Sequence, residues 1–241
     1  MEAYTTDDFL GGLVRLRQPK EGYRATSDAV LLAAAVPAKT GQSVLDVGIG
    51  TGAVALCLNA RVKGLSITGI DIQDEMIEVA KQNAELNQVS MHLLKGDVAN
   101  PPTVLAGLTF DHVVTNPPYF TETPQRQNKT VAIAHKENVP LSDWLSFCIK
   151  KVKPKGTLTL IHRAERVPEI LSLLNPKLGG LILVPFWPRS GKKPKRVLIQ
   201  GTLGSRKSFS LHPGFILHQD NTTRSIEIED IMRRGSPLFQ S

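Results

Sequence analysis

The sequence predicts an α/β protein built on a doubly wound, mostly parallel sheet, with one antiparallel strand near the C-terminus. Three observations carry this reading. From Ser43 onward, short apolar runs alternate with helical stretches, the order of parallel strands joined by crossover helices. The first run, SVLDV, passes straight into Gly48-Ile49-Gly50-Thr51-Gly52 and then a helix, which places a tight turn at a strand's carboxyl end. The last two apolar runs, Leu181–Trp187 and Arg196–Leu203, are joined only by Pro188–Lys195. That connection is too short for a crossover helix, so the pair must be antiparallel. With 241 residues, 41% of them hydrophobic, the chain can bury a full core without disulfides or metal.

The elements follow in order. Residues 1–42 are a lead-in, with a β-like piece at Leu13–Arg17 and a helix whose apolar body is Ala29–Val36, capped by Ser27 or Asp28. Residues 43–204 hold the sheet. Its strands are Ser43–Val47, Leu65–Ile72, Met91–Leu94, Phe110–Thr115 and Gly156–His162, followed by the antiparallel pair. Helices fill the gaps at Ala53–Ala60, Asp74–Asn87, Leu141–Val152 and Glu165–Leu174. Asp74 and Glu75 suit the positive end of the second of these, and Pro168 is tolerated in the first turn of the last. Residues 121–138 are polar without periodicity and read as a loop. Residues 205–241 are expected to pack on the core as an extension.

Several function classes are excluded by composition. No apolar run approaches the ~20 residues of a membrane helix, and the polar start MEAYTTDDF is no signal peptide, so a cytoplasmic protein is expected. Cys57 and Cys148 sit in helical patterns and read as buried free thiols. Neither they nor the six histidines show metal-ligand spacing, so no metal is expected. The net charge is +7, unevenly placed: residues 170–219 contain no Asp or Glu but hold Lys177, Arg189, Lys192, Lys193, Lys195, Arg196, Arg206 and Lys207. Such one-signed clustering points to a nucleic-acid face, solubility being the plainer alternative.

The glycine turn marks a ligand site, because open α/β sheets bind ligands at the carboxyl ends of their strands. It is not a phosphate loop, since no Lys-Ser or Lys-Thr follows. Asp71 ends the second strand, where an acid accepts hydrogen bonds from ribose hydroxyls. Asp46 inside the first strand can face an amino group or hold the turn, and Asp97 after the third strand suits an adenine amino group. A nucleoside-containing cofactor follows. NAD and S-adenosylmethionine both satisfy the ribose argument, and the glycines do not choose between them.

Asn116-Pro117-Pro118-Tyr119 leaves the fourth strand beside the same crevice. Two prolines stiffen the chain and donate nothing. The side-chain oxygen of Asn116 and the carbonyl of Pro117 then form a rigid pair of acceptors, suited to an NH2 group with two hydrogens. The Tyr119 ring can stack on a planar substrate. Acceptors on both hydrogens help a delocalised amine pyramidalise and stabilise the charge that develops during attack. In-line attack on a sulfonium methyl then depends on placement more than on a strong base.

In their order, VLDVGIGTG, GIDI, GD and NPPY resemble the Class I S-adenosylmethionine-dependent methyltransferases of exocyclic or amide nitrogens, with a Rossmann-like core. The flanks EGYRATSDAVLLAAA and LHPGFILHQDNTTRSIEIEDIMRRG resemble the bacterial family that methylates adenosine 37, beside the anticodon of a valine tRNA. The resemblance implies that Asn116 and Pro117 hold the adenine amino group and Tyr119 stacks on its ring. It implies that Asp46, Gly48, Gly50, Gly52, Asp71, Ile72, Asp97 and Asn116 line the S-adenosyl-L-methionine site. A target base would swing out of its loop to reach the turn. Lys192, Lys193, Lys195 and Arg196 are the expected phosphate contacts, and Arg24, Thr26 and Asp28 are candidates to close over cofactor or RNA. The same chemistry on ribosomal RNA guanine, DNA adenine or a release-factor glutamine stays open, as does a module that binds nucleic acid without turnover.

Overall fold

The computed structural model describes residues 3–22, 24–118, 139–220 and 223–239. The lead-in holds more than one β piece. Strands β1 (Tyr4–Phe9) and β2 (Val14–Pro19) form an antiparallel hairpin, a two-stranded sheet of their own. β1 escapes a reading by pattern because Thr5, Thr6, Asp7 and Asp8 supply no apolar alternation. β2 carries the buried side chains, Val14, Leu16 and Gln18.

Helix α1 (Ser27–Ala35) follows. Its cap is Thr26, whose hydroxyl accepts from Asp28 N, so neither Ser27 nor Asp28 holds that role. Residues Ala29 to Val36 are buried on all sides, which makes α1 a core helix without a polar face. Its last carbonyls still need donors. Arg61 Nη2 donates to Ala33 O at 3.1 Å and also to Val36 O, Leu238 N donates to Ala34 O at 2.8 Å, and Gln200 Nε2 donates to Ala35 O at 2.9 Å.

The main chain of elements is β3 (Ser43–Val47), α2 (Ala53–Arg61), β4 (Ser66–Asp71), α3 (Asp74–Leu86), β5 (Met91–Lys95), β6 (Phe110–Thr115), α4 (Leu141–Lys150) and β7 (Val152–Arg163). It continues through α5 (Val167–Leu174), β8 (Leu178–Trp187), β9 (Arg196–Leu203), the short strands β10 (Ser210–Leu211) and β11 (Phe215–Ile216), and α6 (Ile226–Arg234). The sheet order is β10-β8-β9-β7-β6-β3-β4-β5, with β11 also on β8. β9 is antiparallel to both neighbours, and the other pairings in this sheet are parallel, as the short connection before β9 requires.

Alternation along the strands feeds two apolar layers. Val44, Val114, Ile161 and Leu198 pack with α1, α2 and α6. Leu45, Val47, Val113, Leu158, Leu160 and Ile199 pack with α4 and α5. The exposed edge of β2 is satisfied by side chains instead of a strand. Asn83 of α3 and Asn87, the residue that caps its C-terminus, accept from Arg17 N and Arg15 N and donate back to the same residues' carbonyls. Among the described residues, no helix is long and apolar enough to cross a membrane, and no group of three or more His, Cys, Asp or Glu could hold a metal ion. Cys57 and Cys148 are buried and unpaired, and burial pushes both thiols up, Cys57 to about 12.

Candidate active site

The ends of β3, β4, β5, β6 and β7 meet at one edge of the sheet, and the predicted residues divide among them. The glycine turn follows β3. Gly48, Gly50 and Gly52 have φ of 74°, 53° and 85°, left-handed values that an ordinary side chain resists. Gly48 has a second reason to be glycine: a Cβ there would lie 3.0 Å from the Trp144 ring. Ile70 O accepts from both Gly48 N and Ile49 N, which ties the turn to β4.

Asp71 ends β4 and is 8% exposed. Its Oδ2 accepts from Gly50 N at 2.9 Å and its Oδ1 from Gln73 N at 3.0 Å. The carboxylate therefore braces the turn, and each oxygen keeps a further lone pair for a ribose hydroxyl. Half-buried Ile72 follows it. Gly96 N donates to Asp71 O, which sets Asp97 beside the same strand end, and Asp97 Oδ1 accepts from Ala99 N at 2.8 Å.

Asp46 is 1% exposed and its Oδ2 has no hydrogen-bond partner; Thr51 Oγ1 in the turn is also buried and unpartnered. Burial, chiefly, and the charge of Asp71 push the Asp46 carboxyl up to about 7, against an Ala55 backbone N–H that lowers it. Burial likewise raises Asp71. An orphaned buried carboxylate oxygen beside a glycine turn and a ribose-height acid fits a nucleoside cofactor that carries an ammonium group. The residues present thus suit S-adenosylmethionine.

Across the crevice, Asn116 is half-buried, Pro117 buried and Pro118 exposed after the end of β6. Tyr119 and the expected loop 121–138 lie outside the described residues. Thr115, the last residue of β6, donates to Val47 O at 2.8 Å and accepts from Trp144 Nε1 at 2.9 Å. Trp144 on α4 is thereby fixed against both the glycine turn and the Asn-Pro-Pro turn. It joins Pro117, Pro118, Val139, Leu141, His162 and Arg166 in lining a recess. Sequence reasoning missed Trp144 and His162, because each lies far along the chain in an element that otherwise reads as core. The one available signal was a histidine closing an apolar strand.

The basic window does not form one surface. Arg189, Lys192, Lys193 and Lys195 are exposed on the β8–β9 hairpin turn, at the carboxyl end of β7, where Lys195 O accepts from Ala164 N. Lys177, Arg206 and Lys207, also exposed, sit at the other end of the same two strands, since Leu178 pairs with Leu203. At about 3.3 Å per residue, ~25 Å of strand separates the two groups. Folding the hairpin parts charges that are neighbours in sequence. Arg196 is engaged differently from the lysines: its Nε donates to Asp28 Oδ2 at 2.9 Å, an ion pair in which Asp28 is 13% exposed. Arg24 bonds Asp7, Thr5 and Pro19 O, so it clasps the hairpin to the chain before α1.

Comparison with known proteins adds a family to this geometry. Residues 25–142 match the methyltransferase small domain family. A tRNA1(Val) (adenine(37)-N6)-methyltransferase of Porphyromonas gingivalis is 30% identical over 192 residues, covering 73% of this chain and 72% of the relative. A protein of the same name from Glaesserella parasuis is 26% identical over 183 residues, covering 73% and 75%. Among solved structures, a predicted O-methyltransferase from Agrobacterium tumefaciens superposes with a TM-score of 0.73 at 26% identity, covering 88% of this chain and 98% of that one.

Proposed function

The chain belongs to the methyltransferase small domain family and is an S-adenosylmethionine-dependent methyltransferase, and we propose that it methylates the 6-amino group of adenine in RNA, at adenosine 37 of a valine tRNA. The observation that carries this is the meeting, at one sheet edge, of the glycine turn, the Asn116-Pro117-Pro118 turn and a recess whose Trp144 wall touches both. The names of the tRNA-modifying relatives supply the position and the tRNA.

Bound S-adenosylmethionine supplies an electrophilic sulfonium methyl. Asp46 Oδ2 would receive the cofactor's ammonium group, Asp71 would hold the ribose hydroxyls, and Asp97 and Ile72 would flank the adenine end. Asn116 Oδ1 and the Pro117 carbonyl accept the two hydrogens of the target amine and fix its nitrogen toward the methyl. These acceptors would stabilise the positive charge developing on the amine as it takes the methyl from sulfur and the S–C bond breaks, the surplus proton then passing to water, so the chain contributes placement and preorganised charge. The two prolines keep this pair of acceptors rigid, and Tyr119 stacks on the base. Lys192, Lys193 and Lys195 bind phosphates beside the recess, and Arg196 orders the hairpin through Asp28. The enzyme works in the cytoplasm.

The test is transfer of labelled methyl from S-adenosylmethionine to total RNA from a strain lacking the gene, followed by digestion to nucleosides. Label in N6-methyladenosine from the tRNA fraction is expected. Asn116→Ala should reduce transfer by about 10²–10³ with cofactor affinity unchanged. Label on guanosine, or on protein alone, would refute the adenine assignment.

A further inference from the structure

The glycine turn follows β3 and the Asn-Pro-Pro turn follows β6, two neighbouring parallel strands whose last paired residues are Val47 and Thr115. Past that pair the two main chains part. Gly48 N and Ile49 N donate to Ile70 O, so the backbone of the glycine turn is tied to β4, on the side away from β6. Toward β6 it is held by side chains. The fully buried Thr115 hydroxyl donates to Val47 O at 2.8 Å. Its single proton is then committed, so toward Trp144 it acts as an acceptor and takes the indole Nε1–H at 2.9 Å. That bond seats the half-buried ring against Gly48, where a Cβ would lie 3.0 Å from Cζ2, and the same ring lines the recess with Pro117 and Pro118. One hydroxyl thus connects the residue before the glycine turn, the start of the Asn-Pro-Pro turn and the ring between them.

We propose that Thr115 is a positioning residue for methyl transfer: its hydroxyl fixes how far the Asn116-Pro117 turn stands from the glycine turn, and Trp144 is the spacer it holds in place. This rests on the reading above, in which the Asn116-Pro117 turn holds the amine, and deepens it. In-line transfer needs the amine nitrogen close to the methyl carbon and opposite the sulfur. The N–C bond forms as the S–C bond breaks, the electron pair stays on sulfur, and the surplus proton passes to water. A displacement of about 1 Å costs such a step on the order of a hundredfold in rate. The methyl is presented from the end of β3 and the nitrogen from the end of β6, so the separation of those two ends sets the distance the methyl must cross. Thr115 touches neither reacting atom; it acts through Val47 and Trp144. Loosening it should slow the chemical step and leave the contacts of each ligand intact.

The test compares wild type with Thr115→Val, which keeps the shape and loses the hydroxyl, Thr115→Ser, which keeps the hydroxyl, and Trp144→Phe, which keeps a flat ring and loses the N–H. Each is assayed for kcat and KM on total tRNA from a strain lacking the gene, and for S-adenosylmethionine affinity by calorimetry. Thr115→Val should lose about tenfold in kcat, with KM and cofactor affinity within about twofold of wild type, and Thr115→Ser should stay near wild type. Thr115→Val combined with Trp144→Phe should be little worse than Thr115→Val alone, because both changes break one shared bond. A second readout needs no cofactor. Trp144 and Trp187 are the two tryptophans of the chain, so in a Trp187→Phe background the fluorescence anisotropy reports Trp144; it should fall in Thr115→Val and hold in Thr115→Ser. Full kcat or unchanged anisotropy in Thr115→Val would overturn the proposal, as would losses that multiply in the double variant. If Thr115→Val does not fold, Trp144→Phe decides: a loss of about threefold or more in kcat at unchanged cofactor affinity supports the proposal, and wild-type kcat overturns it. Absence of transfer by wild type to any RNA would overturn the amine-holding reading itself, and this proposal with it, an outcome distinct from full activity in Thr115→Val.

Discussion

Replacing Asp46 by Asn tests the cofactor site through a property of the protein without ligand. The Asp46 carboxyl is 1% exposed and is raised by burial from its ordinary 3.8 to about 7. Below pH 3.8 it is protonated in both folded and unfolded chains. Between there and pH 7 the unfolded chain gives up the proton while the folded chain keeps it, so stability falls as pH rises through that window. At roughly 1.4 kcal/mol per unit, the three units amount to about 4 kcal/mol of stability lost by pH 8. Asn cannot ionise and escapes this loss. The difference in unfolding free energy, Asn variant minus wild type, should therefore climb from pH 4 to pH 7 and level off above. Urea unfolding of both proteins across that range measures it, and groups common to both and remote from Asp46 largely cancel. Isothermal titration at pH 7.5 should then show S-adenosylmethionine bound about ten- to hundredfold more weakly by the variant, the worth of a hydrogen bond to a charged group. Parallel pH curves would refute the argument from burial. Unchanged cofactor affinity would refute the ammonium assignment.

Two further substitutions separate roles that the structure has joined. Asp71→Ala should weaken cofactor binding and also lower stability by about 1–3 kcal/mol, because the Gly50 and Gln73 N–H groups lose their acceptor; a chemical melt and a cofactor titration read the two effects, and unchanged affinity would sink the ribose role. Replacing Lys192, Lys193 and Lys195 together by Gln should weaken RNA binding and reduce the slope of log K against log salt by about 2–3, while Gln at Lys177, Arg206 and Lys207 should change it less. Equal slopes for the two triple variants would mean that position along the hairpin does not matter.

How much of this was legible in the sequence depends on how far each feature reaches. β3 and β6 were read residue for residue, since an alternating or wholly apolar run bounded by turns is a local signal. The antiparallel β9 followed from the length of one loop. β1 was missed because a polar strand on a solvated hairpin has no local signal, and α1 was capped one residue earlier than expected. The glycine turn, Asp71 and Asn116-Pro117 lie at strand ends as expected, because short motifs of consecutive residues mark where a strand stops.

The sequence by itself determined the fold class, the glycine turn after β3, the Asn-Pro-Pro turn after β6 and the excess of positive charge. Each of these is set by short-range sterics and periodicity: glycines that permit positive φ, prolines that remove donors, and apolar residues at fixed spacing. Only the tertiary structure decided which of those charges stand together, because the β8–β9 hairpin carries Lys177 and Lys207 a strand's length away from Lys192 and Lys195. It alone gave Arg196 to Asp28, 168 positions away, and set Trp144 between the two turns. It also brought His162, from the end of β7, to the recess beside Pro117. These are contacts between residues remote in the chain, and they exist only once burial has fixed which faces of the elements meet.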